Sequence, residues 1–301
     1  MSKETNSILI GLIGSGLDGS LSPAMHEREG DQQGLRYIYK RIDLTRLGLD
    51  KSALPELLVA AERMGFTGLN ITHPCKQEVL KFLDELSEET AEIGAANTVL
   101  FRAGKRVGHN TDGRAFVESF RTRMGDVPHD RIVLLGAGGA GTAIGHSLLK
   151  SLDTSIVVLD KVEENADALC KKLRELYGSD RVTLRAVEEL ELALEGANGL
   201  INATPVGMDD CAGSVLPRHL MRSDLWISDI VYFPLDTELL RMARQAGCRV
   251  MDGGGMAIGQ AAAAFEIFTG QKANMARMRR HFQELIGPAV IGKDKAATAG
   301  E

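Results

Sequence analysis

The run Gly136-Ala137-Gly138-Gly139-Ala140-Gly141 sets glycines at the three fixed positions of a G-x-G-x-x-G pattern. It directly follows the apolar stretch Ile132–Leu135 and opens a helical pattern, the context in which such a loop grips a pyrophosphate. The first glycine permits a tight turn, the second lets the backbone approach the ligand, and the third allows close helix–strand packing. The helix start then offers free N–H groups and a positive dipole end to phosphate oxygens. Asp160 ends the next strand, Ser155–Leu159, 24 residues after Gly136. A carboxylate there accepts hydrogen bonds from the adenosine ribose. Lys161, Glu163 and Glu164 follow it, so three carboxylates and one lysine would repel a ribose 2′-phosphate. NAD is expected in preference to NADP. The plain alternative for Asp160 is a cap on the following helix.

Four polar clusters precede that loop. They are Ser20-Leu21-Ser22-Pro23, Asn70-Ile71-Thr72-His73-Pro74 with Lys76, Ala96-Asn97-Thr98, and His109-Asn110-Thr111-Asp112. They fall at strand ends and loops, where functional side chains concentrate. Each also has a structural reading: Ser22 and Asp112 as helix N-caps, Asn97 as a turn residue, Lys76 as a solvated lysine. His26, His73 and His109 show no metal-ligand spacing such as H-E-x-x-H, so no metal is expected.

The elements that must position these residues alternate between strand and helix. Ser7–Ile13 and Thr67–Thr72 read as strands, Tyr37–Asp43 as an alternating strand, and Ala96–Phe101 with Arg106–His109 as a hairpin around Gly104. Helices are expected from Ser22-Pro23, over Lys51–Met64, and from Pro74 through Leu83. A second unit follows, with strands at Ile132–Leu135, Ser155–Leu159, Val182–Leu184, Gly199–Asn202, Trp226–Val231 and Arg249–Met251. Helices separate several of these strands, including Ala166–Tyr177 and Thr237–Ala246, which implies parallel pairing and right-handed crossovers. Ala257–Gly270 and Gln271–Ile286 read as C-terminal helices returning to the first unit. The expected fold is α/β in two domains: a substrate-binding unit at 1–112 joined by helices at 259–286, and a Rossmann-type, doubly wound unit at 113–258. A small polar tail at 287–301 is expected to be disordered.

Composition narrows the function class. The 301 residues carry a net charge of −6, against the basic face that sequence-independent nucleic-acid binding needs. Ile132–Leu149 has no acidic or basic residue over 18 positions, but its five glycines and His146 fit a strand, loop and helix start rather than a membrane span. Cys75, Cys170, Cys211 and Cys248 form no C-x-x-C. With no signal peptide, they read as free thiols in a reducing, cytoplasmic setting. Glycine stands at 33 where average usage gives roughly 21, while proline is only 8, so the surplus is not a disordered composition. It gathers at residues 14–19, 136–145 and 253–255, which reads as backbone brought close to ligands.

Across residues 8–285 the clusters fall into one order. Ser-Leu-Ser-Pro-Ala-Met-His at 20–26 is followed by Gly-Leu-Asn-Ile-Thr-His-Pro-Cys-Lys at 68–76, Gly-Ala-Ala-Asn-Thr-Val at 94–99 and Gly-His-Asn-Thr-Asp at 108–112. After the glycine loop come Ile-Asn-Ala-Thr-Pro-Val-Gly-Met at 201–208, Asp229 to Tyr232 with Pro234, and Gly255-Met256 with Gln260. This succession resembles the shikimate/quinate dehydrogenases. The resemblance implies that Lys76 and Asp112 form a catalytic pair. It implies that Ser20, Ser22, Thr72, Asn97 and Gln260 hold the hydroxyls and carboxylate of a cyclic hydroxy acid, with Tyr232 adding a contact. Asn202, Thr204 and Met208 would line the nicotinamide side, and Gly255 would lie near that ring.

Those residue types suit the implied chemistry. Oxidising a secondary alcohol moves a hydride to the nicotinamide and needs a proton acceptor on the protein, here Lys76 positioned by Asp112. The chain departs from the family at Ala115, where glycine is frequent, at the glycine-rich 253–255, and at Asp160-Lys161-Val162, where NADP-using members carry Asn-Arg-Thr and a further arginine. That departure leans to the NAD-using branch, and Ser22, where quinate-favouring relatives often have threonine, leans to shikimate. The alternatives are a dehydrogenase of a related acid such as an amino-shikimate, or a non-catalytic NAD sensor. Partners would be the small substrate alone, with no nucleic acid and no membrane, in a monomer or homodimer.

Overall fold

The computed structural model describes residues 7–208 and 211–287. Its first sheet contains β1 (Ile8–Gly14), β2 (Tyr37–Asp43), β3 (Gly68–Ile71), β4 (Glu85–Leu86), β5 (Thr98–Arg102) and β6 (Lys105–His109), in the order β2-β1-β3-β5-β6-β4. β1 pairs in parallel with β2 and β3, while β3 to β5 and the β5–β6 hairpin are antiparallel. The antiparallel step brings Asn97, just before β5, beside the carboxyl end of β3, where Ile71 N–H donates to the Asn97 carbonyl at 2.8 Å. One sheet face packs Ile13, Leu69, Ile71 and Val99 on Leu54, Leu58 and Ala61 of the Leu54–Arg63 helix. The other buries Ile10, Leu12, Tyr37 and Tyr39 against Ala264, Phe265 and Phe268.

The second sheet is parallel throughout: β7 (Arg131–Leu135), β8 (Ser155–Leu159), β9 (Val182–Leu184), β10 (Gly199–Asn202), β11 (Trp226–Asp229) and β12 (Val250–Met251). Its order, β12-β11-β10-β7-β8-β9, is that of dinucleotide-binding folds, and the direction reverses between β7 and β10. Because side chains alternate along a strand, β7 and β8 feed two cores. Ile132, Leu134, Ile156 and Val158 face Phe116, Phe120 and Leu148, whereas Val133, Leu135, Val157 and Leu159 share the other face with Leu239 and Leu240. Both expected sheets are therefore present, and the glycine loop leaves β7 at the switch point.

The two C-terminal helices, Gly254–Thr269 and Met275–Ile286, lie on the first unit. Glu29, fully buried on the Ser22–Gln32 helix, takes a forked pair of bonds from Arg277, Nε to Oε2 at 2.7 Å and a terminal nitrogen to Oε1 at 2.6 Å. Asn274 N–H and the Gln33 amide complete its shell. At the free edge of β2, Tyr39 N–H donates to Glu27 Oε1 at 2.9 Å. All four cysteines are unpaired. Among the described residues no helix is long and apolar enough to cross a membrane. The expected tail lies outside the described residues apart from Gly287.

Two local expectations fail. Ser22 does not cap its helix: Leu21 holds the N-cap position, Ser22 and Pro23 form the first turn, and no side-chain capping bond is made. Pro74–Leu83 is not an α-helix but a turn after a cis His73–Pro74 bond and a 3-10 segment over Glu78–Phe82. The carbonyls an α-helix would use are spent elsewhere, His73 on Ser15 N–H at 2.9 Å and Lys76 on Ala96 N–H at 2.8 Å. That second bond fixes the Lys76 main chain to the loop before Asn97.

Burial raises the Glu29 carboxyl, but Arg277, Asn274 N–H and Gln33 outweigh it and hold it below its usual value of 4.5. Its stabilising contribution is therefore present above that value and lost as pH falls through the folded-state pKa. Arg277→Met leaves the buried carboxylate unpaired and should cost about 3 kcal/mol at neutral pH, the low end of the range for a broken buried pair, because the arginine side chain keeps 20% exposure. Denaturant unfolding at pH 7 and pH 4 should show the loss shrinking at the lower pH.

Candidate active site

The Lys76 ammonium and Asp112 Oδ2 meet at 2.7 Å, with side chains only 16% and 5% exposed. The other Asp112 oxygen accepts from Asn97 Nδ2 at 2.9 Å. Asn97 is saturated. Its second N–H goes to Thr111 Oγ1 at 2.8 Å, and its oxygen accepts from Thr111 N–H and Thr98 Oγ1, each at 3.0 Å. Behind it, Tyr39 O–H donates to Asn70 Oδ1 at 2.7 Å, and Asn70 donates to Thr98 Oγ1 at 3.0 Å and to the Asn97 carbonyl at 3.1 Å. The donors thus point in one direction, from Tyr39 through two amides and a hydroxyl to a carboxylate, and such chains reinforce one another in a low dielectric. The resemblance implies a substrate contact for Asn97; its side-chain N–H groups are committed to Thr111 and Asp112, so it also orients Asp112. Sequence reading left Asn70, Thr98 and Thr111 without roles, although all three lie in the quoted motifs.

Of the remaining predicted contacts, Gln260 is tied to this network, its carbonyl accepting from Thr111 Oγ1 at 3.1 Å. Ser20 and Ser22 follow the loop after β1, which is pinned by Asp43 accepting from Gly16 and Leu17 N–H, and by Ser15 N–H on the His73 carbonyl. Buried Ser20 Oγ has no hydrogen-bond partner among the described residues, and Ser22, freed from capping, makes no side-chain bond either. Burial pushes the Tyr232 phenol above its ordinary range, against a smaller lowering by the nearby Ser20 hydroxyl, though the two fall outside hydrogen-bond geometry. Thr72 packs its methyl on Gly14, and the Gln260 amide folds onto its own helix at the Ala257 carbonyl. His26 is no ligand: it sits among Tyr37, Tyr39, Phe265 and Phe268, and burial takes it down to about 3. Among the described residues no group of His, Cys, Asp or Glu is placed to hold a metal.

On the cofactor side, Gly136 leaves β7 at φ +101°, a backbone region that glycine tolerates, and a Cβ on Gly141 would stand 1.9 Å from the Gly136 carbonyl. Nothing lies within 4 Å of where a Cβ on Gly138 would be, so the loop presents an open backbone cradle, with Ala137 and Ala140 as its only side chains. Asp160 Oδ2 accepts from Ala137 N–H at 2.6 Å and Oδ1 from Val162 N–H at 2.8 Å, so it braces the loop and still has lone pairs for a ribose. These groups fit a dinucleotide. Asn202 differs from expectation. It is fully buried and saturated, donating to the Val206 carbonyl and Asp229 and accepting from Thr204 N–H and Oγ1. It shapes the Ala203–Gly207 turn, leaving Met208 exposed. Burial pushes Asp229 up to about 6, against lowering by its bonds from Thr237, Val231 N–H and Asn202. A Cβ on Gly255 would meet Ser119 Oγ at 2.1 Å, so that glycine serves helix packing against Asp112–Met124.

The two units touch at the chemistry. A Cβ on Gly139 would stand 2.7 Å from Lys76 Cβ, so the glycine loop lies directly on the lysine stem. Ala115, the departure noted in sequence, faces Gly259, where a Cβ would be 3.0 Å away; the methyl on one helix is matched by its absence on the other.

Residues 12–99 match the model for the shikimate dehydrogenase substrate binding domain, and residues 253–281 that for the shikimate 5′-dehydrogenase C-terminal domain. The chain is 50% identical to a shikimate dehydrogenase (NADP(+)) of Arthrobacter sp. (strain FB24), covering 95% of this chain and 98% of that one. It is 42% identical to a quinate/shikimate dehydrogenase (NAD(+)) of Corynebacterium glutamicum (strain R), covering 93% and 99%. A solved quinate dehydrogenase from Corynebacterium glutamicum in complex with NAD superposes with a TM-score of 0.83 at 42% identity, covering 92% and 98%. On this likeness over nearly its whole length, the chain belongs to the shikimate dehydrogenase family.

Proposed function

We propose that this protein is a NAD-dependent dehydrogenase that interconverts shikimate with 3-dehydroshikimate, quinate with 3-dehydroquinate, or both. The observation that carries this reading is the largely buried Lys76–Asp112 pair, held by Asn97. We assign residues 1–112 with the helices at 259–286 to the substrate, and 113–258 to the cofactor. Ser20, Ser22, Thr72, Tyr232 and Gln260 contact the acid. Gly136 to Gly141 and Asp160 hold the dinucleotide, and Thr204, Met208 and the turn built by Asn202 border its reactive end.

The bound nicotinamide supplies the hydride acceptor. Lys76 in its neutral form takes the hydroxyl proton as the C–H bond breaks, and in reverse its ammonium returns that proton to the carbonyl oxygen. Asp112 accepts a hydrogen bond from the lysine and so fixes its direction. Asn97 keeps the carboxylate aimed, and the Gly139 contact keeps the lysine stem against the loop.

For the cofactor, Asp160 with Glu163 and Glu164 disfavours a second phosphate dianion on the ribose. The Arthrobacter relative is named for NADP(+) and the Corynebacterium one for NAD(+), so a direct assay must decide. We expect kcat/KM with NAD to exceed that with NADP at least 10-fold, and a preference for NADP would overturn the assignment. Lys76→Ala should lose most of kcat, on the order of 100-fold or more, with KM changed by less than about threefold. A near-normal kcat would remove Lys76 from the mechanism. Tight NAD binding without NADH formation across shikimate, quinate and an amino analogue would favour a sensor instead.

A further inference from the structure

Arg41 stands near the carboxyl end of β2, two residues beyond Tyr39 and four beyond Tyr37, so the three side chains share one face. Its guanidinium donates to the Ser20 carbonyl at 2.7 Å. Among the described residues no carboxylate pairs with it, in contrast to Arg46 on Asp18 and Lys76 on Asp112. Close to it lie the unpartnered Ser20 hydroxyl and Tyr232, and its charge opposes, as a smaller effect, the burial that raises the phenols of both Tyr39 and Tyr232. Arg41 is thus an exposed cation on the Ser20 side with no carboxylate partner among the described residues, whereas Lys76 is spent on Asp112. Hydroxyl groups alone bind an anion with neutral donors, whereas a guanidinium gives shorter, charge-assisted bonds and keeps spare N–H groups after donating once.

We propose that Arg41 is the counter-ion for the substrate's carboxylate and sets the preference of this site for an acid over its neutral analogue. The inference rests on the reading of the substrate as a cyclic hydroxy acid. Arg41 also holds the Ser20 main chain, so the test must separate charge recognition from loop support.

Initial rates should be compared for the wild type, Arg41→Lys and Arg41→Met, using shikimate or quinate, whichever the wild type oxidises, and the methyl ester of the same acid. Arg41→Met should raise KM for the acid about 10- to 100-fold, with kcat within about threefold and the ester's KM unchanged. Arg41→Lys should recover part of the loss. In the wild type, raising salt should raise KM for the acid and not for the ester. This measurement serves even if the methionine variant fails to fold. Calorimetric binding of acid and ester gives the same comparison without turnover. Acid and ester weakening together would assign Arg41 to loop support and overturn the proposal, as would a variant or a salt series that leaves the acid unaffected. A wild type that turns over neither acid would sink the dehydrogenase reading, and calorimetry would still judge Arg41.

Discussion

An ammonium and a carboxylate taken this far from water are favourable only if their geometry is good and their other hydrogen bonds are met. The Lys76–Asp112 pair satisfies both conditions through parts drawn from across the chain. Asn97 supplies the second bond to Asp112. Thr111 and Thr98 hold Asn97, and Asn70 with Tyr39 hold Thr98. Lys76 is fixed at its backbone by Ala96 and along its stem by Gly139. The antiparallel pairing of β3 with β5, after the parallel β2-β1-β3 run, is what brings these strand ends together. Misplacing either unit would disturb the pair, because the loop meant for the cofactor touches the lysine itself.

Much of this was legible in the residues. Apolar runs such as Ile132–Leu135 announce buried parallel strands, and the turn around Gly104 announces a hairpin. The glycine spacing after β7, with Asp160 at the next strand end, marks the switch point of the second sheet. What could not be read was direction. A motif places Asn97, Asn202 and Asp160 near the site but does not say which bonds their amides and carboxylates have already made. Asn97 and Asn202 prove saturated within the protein, so their influence passes through Asp112 and a turn. The missed Pro74 segment has a similar cause: a proline at a helix-like start says nothing of the distant N–H that takes the Lys76 carbonyl.

The glycine surplus also divides once contacts are known. At Gly138 it opens a cradle, while Gly136 and Gly141 allow the tight turn and close helix packing that shape it. At Gly14, Gly19, Gly253 and Gly255 a methyl would collide with Thr72, Phe233, the Ile230 carbonyl and Ser119. These positions bring protein close to protein. Gly14, Gly19 and Gly253 crowd the loop of Ser20 and the segment of Tyr232, so the wall there is dense although the Ser20 hydroxyl is left unpaired.

The bond from Tyr39 N–H to Glu27 bears on how copies of this chain can meet. β2 is an outer strand seven residues long, with Ile38 more than half exposed, the kind of edge another chain can adopt as a template. A carboxylate already occupies one donor of that edge, Tyr39 N–H. An incoming strand would have to displace a charge-assisted bond and leave Glu27 without its partner. Extension of the first sheet by a neighbouring strand at this edge is thereby disfavoured.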